Sequence, residues 1–424
     1  MKFKFNYVKH VLTVASLTLL AGCANTLDSK PTNTKQVIGG ELLFEASSQK
    51  ISKIIEGYVE DNTMKVYGLK VYKVPYITKD SQNHNIHVSG LLSVPIGKKE
   101  TIGLVSFSHG TITLNDSAPT VKAKKTKQPS IAALFFSATG TGFATLEADY
   151  IGYGNSSKHH HPYMIKDTLA NTSVDFIKAV KIFAKNNDIK LNNHLYVSGY
   201  SEGGYVSMAT LQKLENQHIY VTAAAPMAGA YDLDYMARSV LGWEDESLKS
   251  YAMTYTILTL NAYAKKYGKK IKSIIKEPYA SRIDTLLDGK HTFGQIDSAL
   301  PLDEVGKDGL LTKKFLSQYK SNPNHWLKKA LRENSLFNWK PKTKLRLIHC
   351  QGDDQVPYSI SERTLQSLIH NRARDVSLIT LDSFEKNDTK WSHNRCFIPS
   401  LSWATYWFNS VEENGIIINT KKIK

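Results

Sequence analysis

Gly199-Tyr200-Ser201-Glu202-Gly203 decides how this chain is read. An apolar run, Leu195-Tyr196-Val197-Ser198, precedes it, and Tyr205-Val206-Ser207-Met208-Ala209-Thr210-Leu211 follows. The first has the character of a buried strand and the second that of a helix. G-x-S-x-G between them is a sharp strand–turn–helix bend. Such a bend holds its Ser in a strained backbone, and glycines flank it where a side chain would meet the strand or the helix. Ser201 Oγ then projects above the sheet edge, at a helix N-terminus that favours negative charge. Gly204 lets helix and strand pack closely. The pentapeptide by itself also fits an ordinary glycine-rich turn, so the rest of the chain must supply partners for the serine.

A nucleophilic Ser needs a base, an orienting acid and donors for an oxyanion. Leu345-Arg346-Leu347-Ile348-His349-Cys350 reads as a late strand, and Gln351-Gly352-Asp353-Asp354-Gln355-Val356-Pro357 follows it. The run resembles the hydrolase signature H-G-x-x-D-x-x-V-P, with Cys350 in place of the Gly. That register makes Asp353 the acid and turns Asp354 away, since successive residues of an extended turn point differently. Val376-Ser377-Leu378-Ile379-Thr380-Leu381 reads as the last strand. Beyond it, Ser392-His393-Asn394-Arg395-Cys396-Phe397-Ile398-Pro399 opens the final helix, predicted over 399–414, and His393 is the candidate base. The oxyanion donors are expected to be the Glu202 N–H and one from Ser108-His109-Gly110-Thr111, which follows the strand Ile102–Phe107. Thr111 is the preferred donor there and Gly110 the alternative. His109 reads as a structural hydrogen-bonder.

Further strand candidates are 65–76, 86–94, 142–147 and 220–226, and helices are expected over 166–185, 204–215 and 359–371. The first two strands form a hairpin across Lys79-Asp80-Ser81-Gln82-Asn83. From Ile102 the alternation of strand and helix implies a parallel sheet with helices on both faces. Residues 232–341 carry no strand between two strong core strands, far beyond a normal connection. They read as an inserted helical cap.

These pieces together resemble an α/β-hydrolase, and within that fold the secretory lipase group. They are Ser108–Thr111, Asp149-Tyr150-Ile151-Gly152-Tyr153-Gly154, His161-Pro162-Tyr163, Gly199–Gly204, Ala225-Pro226-Met227-Ala228-Gly229, Asp353…Val356-Pro357 and His393…Cys396…Pro399. The resemblance implies an α/β-hydrolase fold with a helical cap, and a serine hydrolase that cleaves carboxylic esters through an acyl-enzyme. Ser201, Asp353 and His393 would form the triad, acting on an ester or lipid substrate with no metal or organic cofactor. Fold and triad do not choose the substrate. A peptidase of the prolyl-oligopeptidase kind or an acyltransferase is the enzymatic alternative, and a catalytically inert envelope lipoprotein the non-enzymatic one.

The first residues read as a processing signal. Lys2, Lys4 and Lys9 form a positive segment, and Val11–Leu20 is an apolar core too short for a comfortable membrane span. Leu20-Ala21-Gly22-Cys23 resembles a bacterial lipobox, which implies lipid attachment to Cys23 and cleavage before it. Ala24 does not resemble the usual inner-membrane retention signal, so an outer-membrane destination is expected. The expected organisation is a signal peptide over 1–22, an anchor and tether over 23–50, a core over 51–231 and 342–424, and a cap over 232–341.

The net charge of +16, from 54 Lys and Arg against 38 Asp and Glu, would suit nucleic acid. No nucleic-acid motif accompanies it, and a Lys-rich solvated surface explains it. The densest group is Lys265, Lys266, Lys269, Lys270, Lys272 and Lys276. With Tyr267, Ile271, Ile274 and Ile275 at helical spacing it suggests a helix with a basic face, either solvated or laid on an anionic bilayer. Lys158-His159-His160-His161 reads as a rim loop, not a metal site, because no Cys or acidic partner stands near it in sequence. Cys350 and Cys396 remain once Cys23 is set aside. They are either bridged, tying the acid loop to the base loop, or two buried thiols side by side.

Overall fold

The computed structural model describes residues 39–58, 65–98, 100–244, 253–301, 309–384 and 390–413. The expected signal peptide, the Cys23 anchor and the tether to Gln36 lie outside the described residues. Among those described, nine strands form one sheet: β1 (Glu41–Ala46), β2 (Gly68–Lys79), β3 (Asn85–Ile96), β4 (Ile102–Ser108), β5 (Ala144–Ala148), β6 (Leu191–Tyr200), β7 (Ala223–Met227), β8 (Lys344–His349) and β9 (Val376–Thr380). Their spatial order is β1-β2-β3-β5-β4-β6-β7-β8-β9. The pairs from β1 through β3 to β5 are antiparallel, and all the others are parallel. The hairpin expected from the sequence is β2–β3.

Helices cover both faces. They are α1 (Ser48–Ile55), α2 (Pro119–Thr126), α3 (Ile131–Phe136), α4 (Lys166–Asn186), α5 (Glu202–Asn216), α6 (Leu233–Val240), α7 (Met253–Lys266), α8 (Ile283–Leu286), α9 (Phe293–Ser298), α10 (Lys313–Ser321), α11 (Trp326–Asn334), α12 (Tyr358–His370) and α13 (His393–Glu412). On one side Phe176 and Val180 of α4, Leu211 of α5 and Ile360 of α12 join a core that continues into α6 to α11. On the other, Ile51 of α1, Phe136 of α3 and Phe408 of α13 pack together. Both faces being covered, the central strands are buried throughout; all seven residues of β4 are. The mostly parallel sheet with helices on both faces is the one the sequence predicts.

Three elements differ from the sequence reading. Residues 41–50, assigned to the tether, belong to the core. Glu41–Ala46 pairs antiparallel with β2 with a register shift between Leu42 and Phe44, and Leu43 and Ala46 are buried while Glu41, Leu42 and Glu45 are exposed. The final helix begins at His393, six residues before the predicted start, with Pro399 inside it. Helix-opening prolines are common, but here the proline sits two turns in. The amphipathic helix expected across the lysine cluster is not continuous. α7 stops at Lys266, Gly268 takes φ +62°, and only a short turn at Ile271–Ser273 follows. Ile274 and Ile275 are fully buried. Lys265 pairs with Asp284 at 3.1 Å, Lys272 with Glu277 at 2.8 Å, and Lys266 donates to the Ser81 carbonyl at 2.6 Å. None of the described helices is long and apolar enough to cross a membrane.

Candidate active site

Sheet topology gathers the distant motifs. β4 lies between β5 and β6, and its parallel register with β6 sets Ser108 beside Gly199. The loop after β4 and the turn after β6 therefore leave the same edge of the sheet side by side, where the direction of strand progression reverses. Next along that edge, β7 pairs Met227 with Tyr200, and β8 pairs His349 with Thr380 of β9.

The turn after β6 is the predicted elbow. Ser201 has φ 61° and ψ −121°, a conformation that costs a non-glycine residue about 1–3 kcal/mol. Surrounding structure holds it there: Ser201 N–H donates to the Met227 carbonyl at 3.0 Å, and its own carbonyl accepts from Tyr205 N–H at 3.2 Å. A Cβ on Gly203 would fall on the Ser108 carbonyl, so only glycine lets the β4 loop reach the elbow. Gly110 completes that approach; a Cβ there would stand 3.3 Å from the Tyr200 carbonyl and 3.6 Å from Ser201 Cβ. Glu202 opens α5, so its N–H has no helical acceptor. Thr111 and Gly110 line the cavity that also holds Ser201 and His393.

Asp353 and His393 meet as a buried pair, Nδ1 of the imidazole donating to Oδ2 at 2.6 Å. The same Oδ2 accepts from Nε2 of His349 at 3.0 Å, and Oδ1 accepts from the Gln355 and Val356 N–H groups at 2.9 and 2.8 Å. Burial raises the carboxyl's affinity for protons, but the hydrogen bonds of His349 and His393 outweigh it and hold Asp353 well below the usual carboxylate range. Nδ1 of His349 accepts from Ser361 at 2.8 Å, which fixes that ring as an Nε2–H donor. His349 lay inside the quoted signature without a role; the structure makes it a second anchor for the acid. Asp354 is not idle. Its Oδ1 accepts from the His393 N–H at 3.1 Å, capping α13 and holding the base loop. Tyr200 OH donates to the His393 carbonyl at 2.6 Å from below. Cys350 and Cys396 are bridged with Cα atoms 6.1 Å apart, joining the strand before Asp353 to the first turn after His393.

His161, expected on a rim loop, is instead inside the site. Its side chain is 6 % exposed, Nδ1 meets the Ile151 carbonyl at 2.9 Å, and Nε2 meets Glu202 Oε1 at 2.6 Å. The rings of Tyr150, Tyr153 and Tyr163 surround it. Their hydroxyls hold the loop after β4: Tyr150 donates to the His109 carbonyl at 3.0 Å, Tyr153 to the Ile112 carbonyl at 2.5 Å, and Tyr163 meets Thr111 Oγ1 at 3.0 Å. One histidine thus bonds Glu202 and packs against three tyrosines whose hydroxyls hold the loop that carries Thr111. His109 stacks on Tyr150 with centroids 4.1 Å apart, and burial lowers its affinity for protons. Among the described residues no group of three or more His, Cys, Asp and Glu is gathered as a metal site.

Two cavities open at Ser201. One, of about 920 Å³, runs beneath α6, α7, α10 and α11 and is lined by Met236, Leu241, Leu260, Phe315 and Leu331 among others. Of its lining residues only Glu202 is charged, and Glu202 is paired with His161. The other holds Ser201 together with His393. Ser, His and Asp in this chain order, with an N–H at a helix start and a loop donor opposite, can perform nucleophilic attack on a carbonyl and hold the resulting oxyanion.

Comparison with known proteins agrees with this architecture. Residues 129–269 match the prolyl oligopeptidase family, a stretch that includes the elbow but neither Asp353 nor His393. No curated protein matches the sequence. A candidate hydrolase from Legionella pneumophila superposes with a TM-score of 0.79 at 24 % identity, over 90 % of this chain and 99 % of that one. The rice cell wall degrading esterase LipA from Xanthomonas oryzae gives 0.77 at 20 % identity, over 89 % and 98 %. Candida antarctica lipase A in its closed state gives 0.64 at 12 % identity, over 90 % and 83 %. The fold is the α/β-hydrolase fold.

Proposed function

We propose that this protein is a serine hydrolase of carboxylic esters, an esterase or lipase. Ser201 Oγ attacks the ester carbonyl and His393 Nε2 takes its proton. Asp353 keeps the imidazole oriented and stabilises its charged form, while the Glu202 and Thr111 N–H groups hold the oxyanion. The alcohol departs with the proton from His393. Water, activated by the same imidazole, then releases the acid from Ser201.

The observation that carries an ester reading is the apolar cavity opening at Ser201 under the helical cap. A mostly apolar pocket, whose one charged lining residue Glu202 is already paired with His161, accepts a hydrocarbon acyl chain more readily than a peptide's charged terminus. The match of residues 129–269 to the prolyl oligopeptidase family favours the second reading, a peptidase. A fluorophosphonate probe should label wild type and leave Ser201→Ala unlabelled. A p-nitrophenyl ester series run beside peptide substrates then separates the two readings: turnover rising with acyl length supports the esterase, and peptide cleavage without ester preference supports the peptidase. Leu20-Ala21-Gly22-Cys23 supports placing the enzyme on a bacterial envelope membrane, lipid-anchored at Cys23. Metabolic labelling with palmitate, lost in Cys23→Ser, tests that placement.

A further inference from the structure

The two cavities that meet at Ser201 differ in kind. The apolar one does not reach His393. The second, about 1500 Å³ with its mouth, has Ser201, His393 and Asn394 at one end and runs past the loop after β4 to α2 and the start of α3. Ser201, Tyr255 and Gln355 line both, and a hydrogen bond of 2.8 Å from Tyr255 OH to Gln355 Oε1 marks their common wall.

The inference rests on the acyl-transfer reading above, which sorts the substrate between the cavities. As the tetrahedral intermediate collapses, the bond from carbonyl carbon to leaving oxygen breaks. That oxygen keeps the electron pair and takes the proton held on His393 Nε2, while the acyl group stays on Ser201 Oγ. The leaving alcohol therefore lies on the His393 side, in the second cavity, and the acyl chain has the apolar one.

Lys122, Thr126, Gln128, Ser130 and Glu147 line that second groove away from the triad. Glu147, next to last in β5, is only 4 % exposed and plays no part in the chemistry derived so far. Ser130 Oγ donates to its Oε1, and no described residue bonds its Oε2. Burial pushes this carboxyl up to about 7 against the Ser130 hydrogen bond, with Asp149 adding to the rise and Lys122 opposing it. Near neutral pH such a group is present in both forms, so it can accept or donate a hydrogen bond. That suits hydroxyl groups, which do both, better than an ammonium or an alkyl chain.

We propose that this groove is the leaving-group subsite, and that it takes a polyol alcohol whose hydroxyls pair with Glu147 and Ser130. The test holds the acyl group constant and varies the alcohol: 1-O-octanoylsorbitol, whose hydroxyls extend along the groove, against hexyl octanoate, with active sites counted by fluorophosphonate titration. Wild type should prefer the sorbityl ester in kcat/KM by about tenfold or more, the effect of one well-made hydrogen bond to a buried group. Glu147→Leu should lower that preference by about tenfold, and the isosteric Glu147→Gln and Ser130→Ala by severalfold. Should Glu147→Leu not fold, the other two variants carry the test. Titratable sites with no sorbityl preference in wild type, or a preference that no variant moves, would overturn the subsite. Absence of titratable sites and of ester turnover in wild type would instead overturn the serine-hydrolase reading beneath it.

Discussion

Asp353→Asn is the substitution whose outcome the geometry specifies most closely. The carboxylate is surrounded by donors: two imidazole N–H groups on Oδ2 and two backbone N–H groups on Oδ1. An amide can face only one pair with its oxygen. Set toward Gln355 and Val356, it aims its NH₂ at His349 and His393; reversed, it aims the NH₂ at the backbone. In the first arrangement His393 must turn over its tautomer, so that Nδ1 accepts and Nε2 carries the proton it should be receiving from Ser201. The corresponding loss elsewhere is about 10⁴ in kcat, or about 5.5 kcal/mol in the barrier at 1.36 kcal/mol per tenfold. Asp354→Asn keeps an oxygen for the His393 N–H and should stay within a few-fold of wild type. Turnover of p-nitrophenyl octanoate, normalised to fluorophosphonate-titrated sites, measures both. A larger fall in Asp354→Asn than in Asp353→Asn would place the acid one residue later and refute the assignment. Stability adds a second readout. A carboxyl held below its unfolded value stabilises the fold above that value, about pH 4, and the contribution is lost as pH falls through the folded value. The stability gap between wild type and Asp353→Asn should be widest at neutral pH and narrow below about pH 4.

Replacing Cys350 and Cys396 together by Ala should lower stability by roughly 2–4 kcal/mol, since the bridge closes a long loop in the unfolded chain; a denaturant titration with unchanged midpoint would contradict this. Glu202→Gln and His161→Phe should lower kcat by about 10–100-fold with KM little changed, and weaken a trifluoromethyl ketone inhibitor in parallel, because on the proposed mechanism these residues position oxyanion donors that act in the transition state. Inhibitor affinity that stays at the wild-type value while kcat falls would separate His161 from the oxyanion hole. Gly203→Ala should yield little folded protein because its Cβ meets the Ser108 carbonyl, whereas Gly294→Ala in α9, with nothing near its Cβ, should be neutral or stabilising by up to about 1 kcal/mol on thermal melting.

Each residue of the proposed triad carries a short-range signal in the sequence. Ser201 lies in a strand–turn–helix bend whose glycines are required by local packing, and Asp353 and His393 follow apolar runs that end at the same sheet edge. The run of helices between β7 and β8 was legible as an absence, a long interval without a strand. The elements that were misread lack local signals or carry misleading ones. Glu41–Ala46 is a six-residue edge strand with a register shift and no regular alternation of exposure, so it carries no clear strand period. Pro399 resembles a helix start and lies inside a helix. The lysine-rich stretch has helical spacing, but Gly268 and the burial of Ile274 and Ile275 turn it into irregular chain packed on the core.

His161 and His349 show what governs the remainder. Neither residue's immediate neighbours reveal its role: His161 ends a run of polar residues that reads as solvent-exposed loop, and His349 ends an apolar strand. Their roles arise from what the fold stacks against them. Three tyrosines from the loop after β5 enclose His161 and also clamp the loop after β4 through their hydroxyls. Ser361 of α12 fixes the ring of His349 so that it donates to Asp353. A nucleophile or acid of this kind sits in a turn at a strand end, which confines it to a few sequence contexts. A residue that orients it has only to be buried beside it, and burial is decided by packing between segments far apart in the chain. The same distinction explains why Glu147 escaped notice in the sequence. Inside β5 it is the one charged residue of a short strand, and the groove that opens over it is built by segments far apart in the chain.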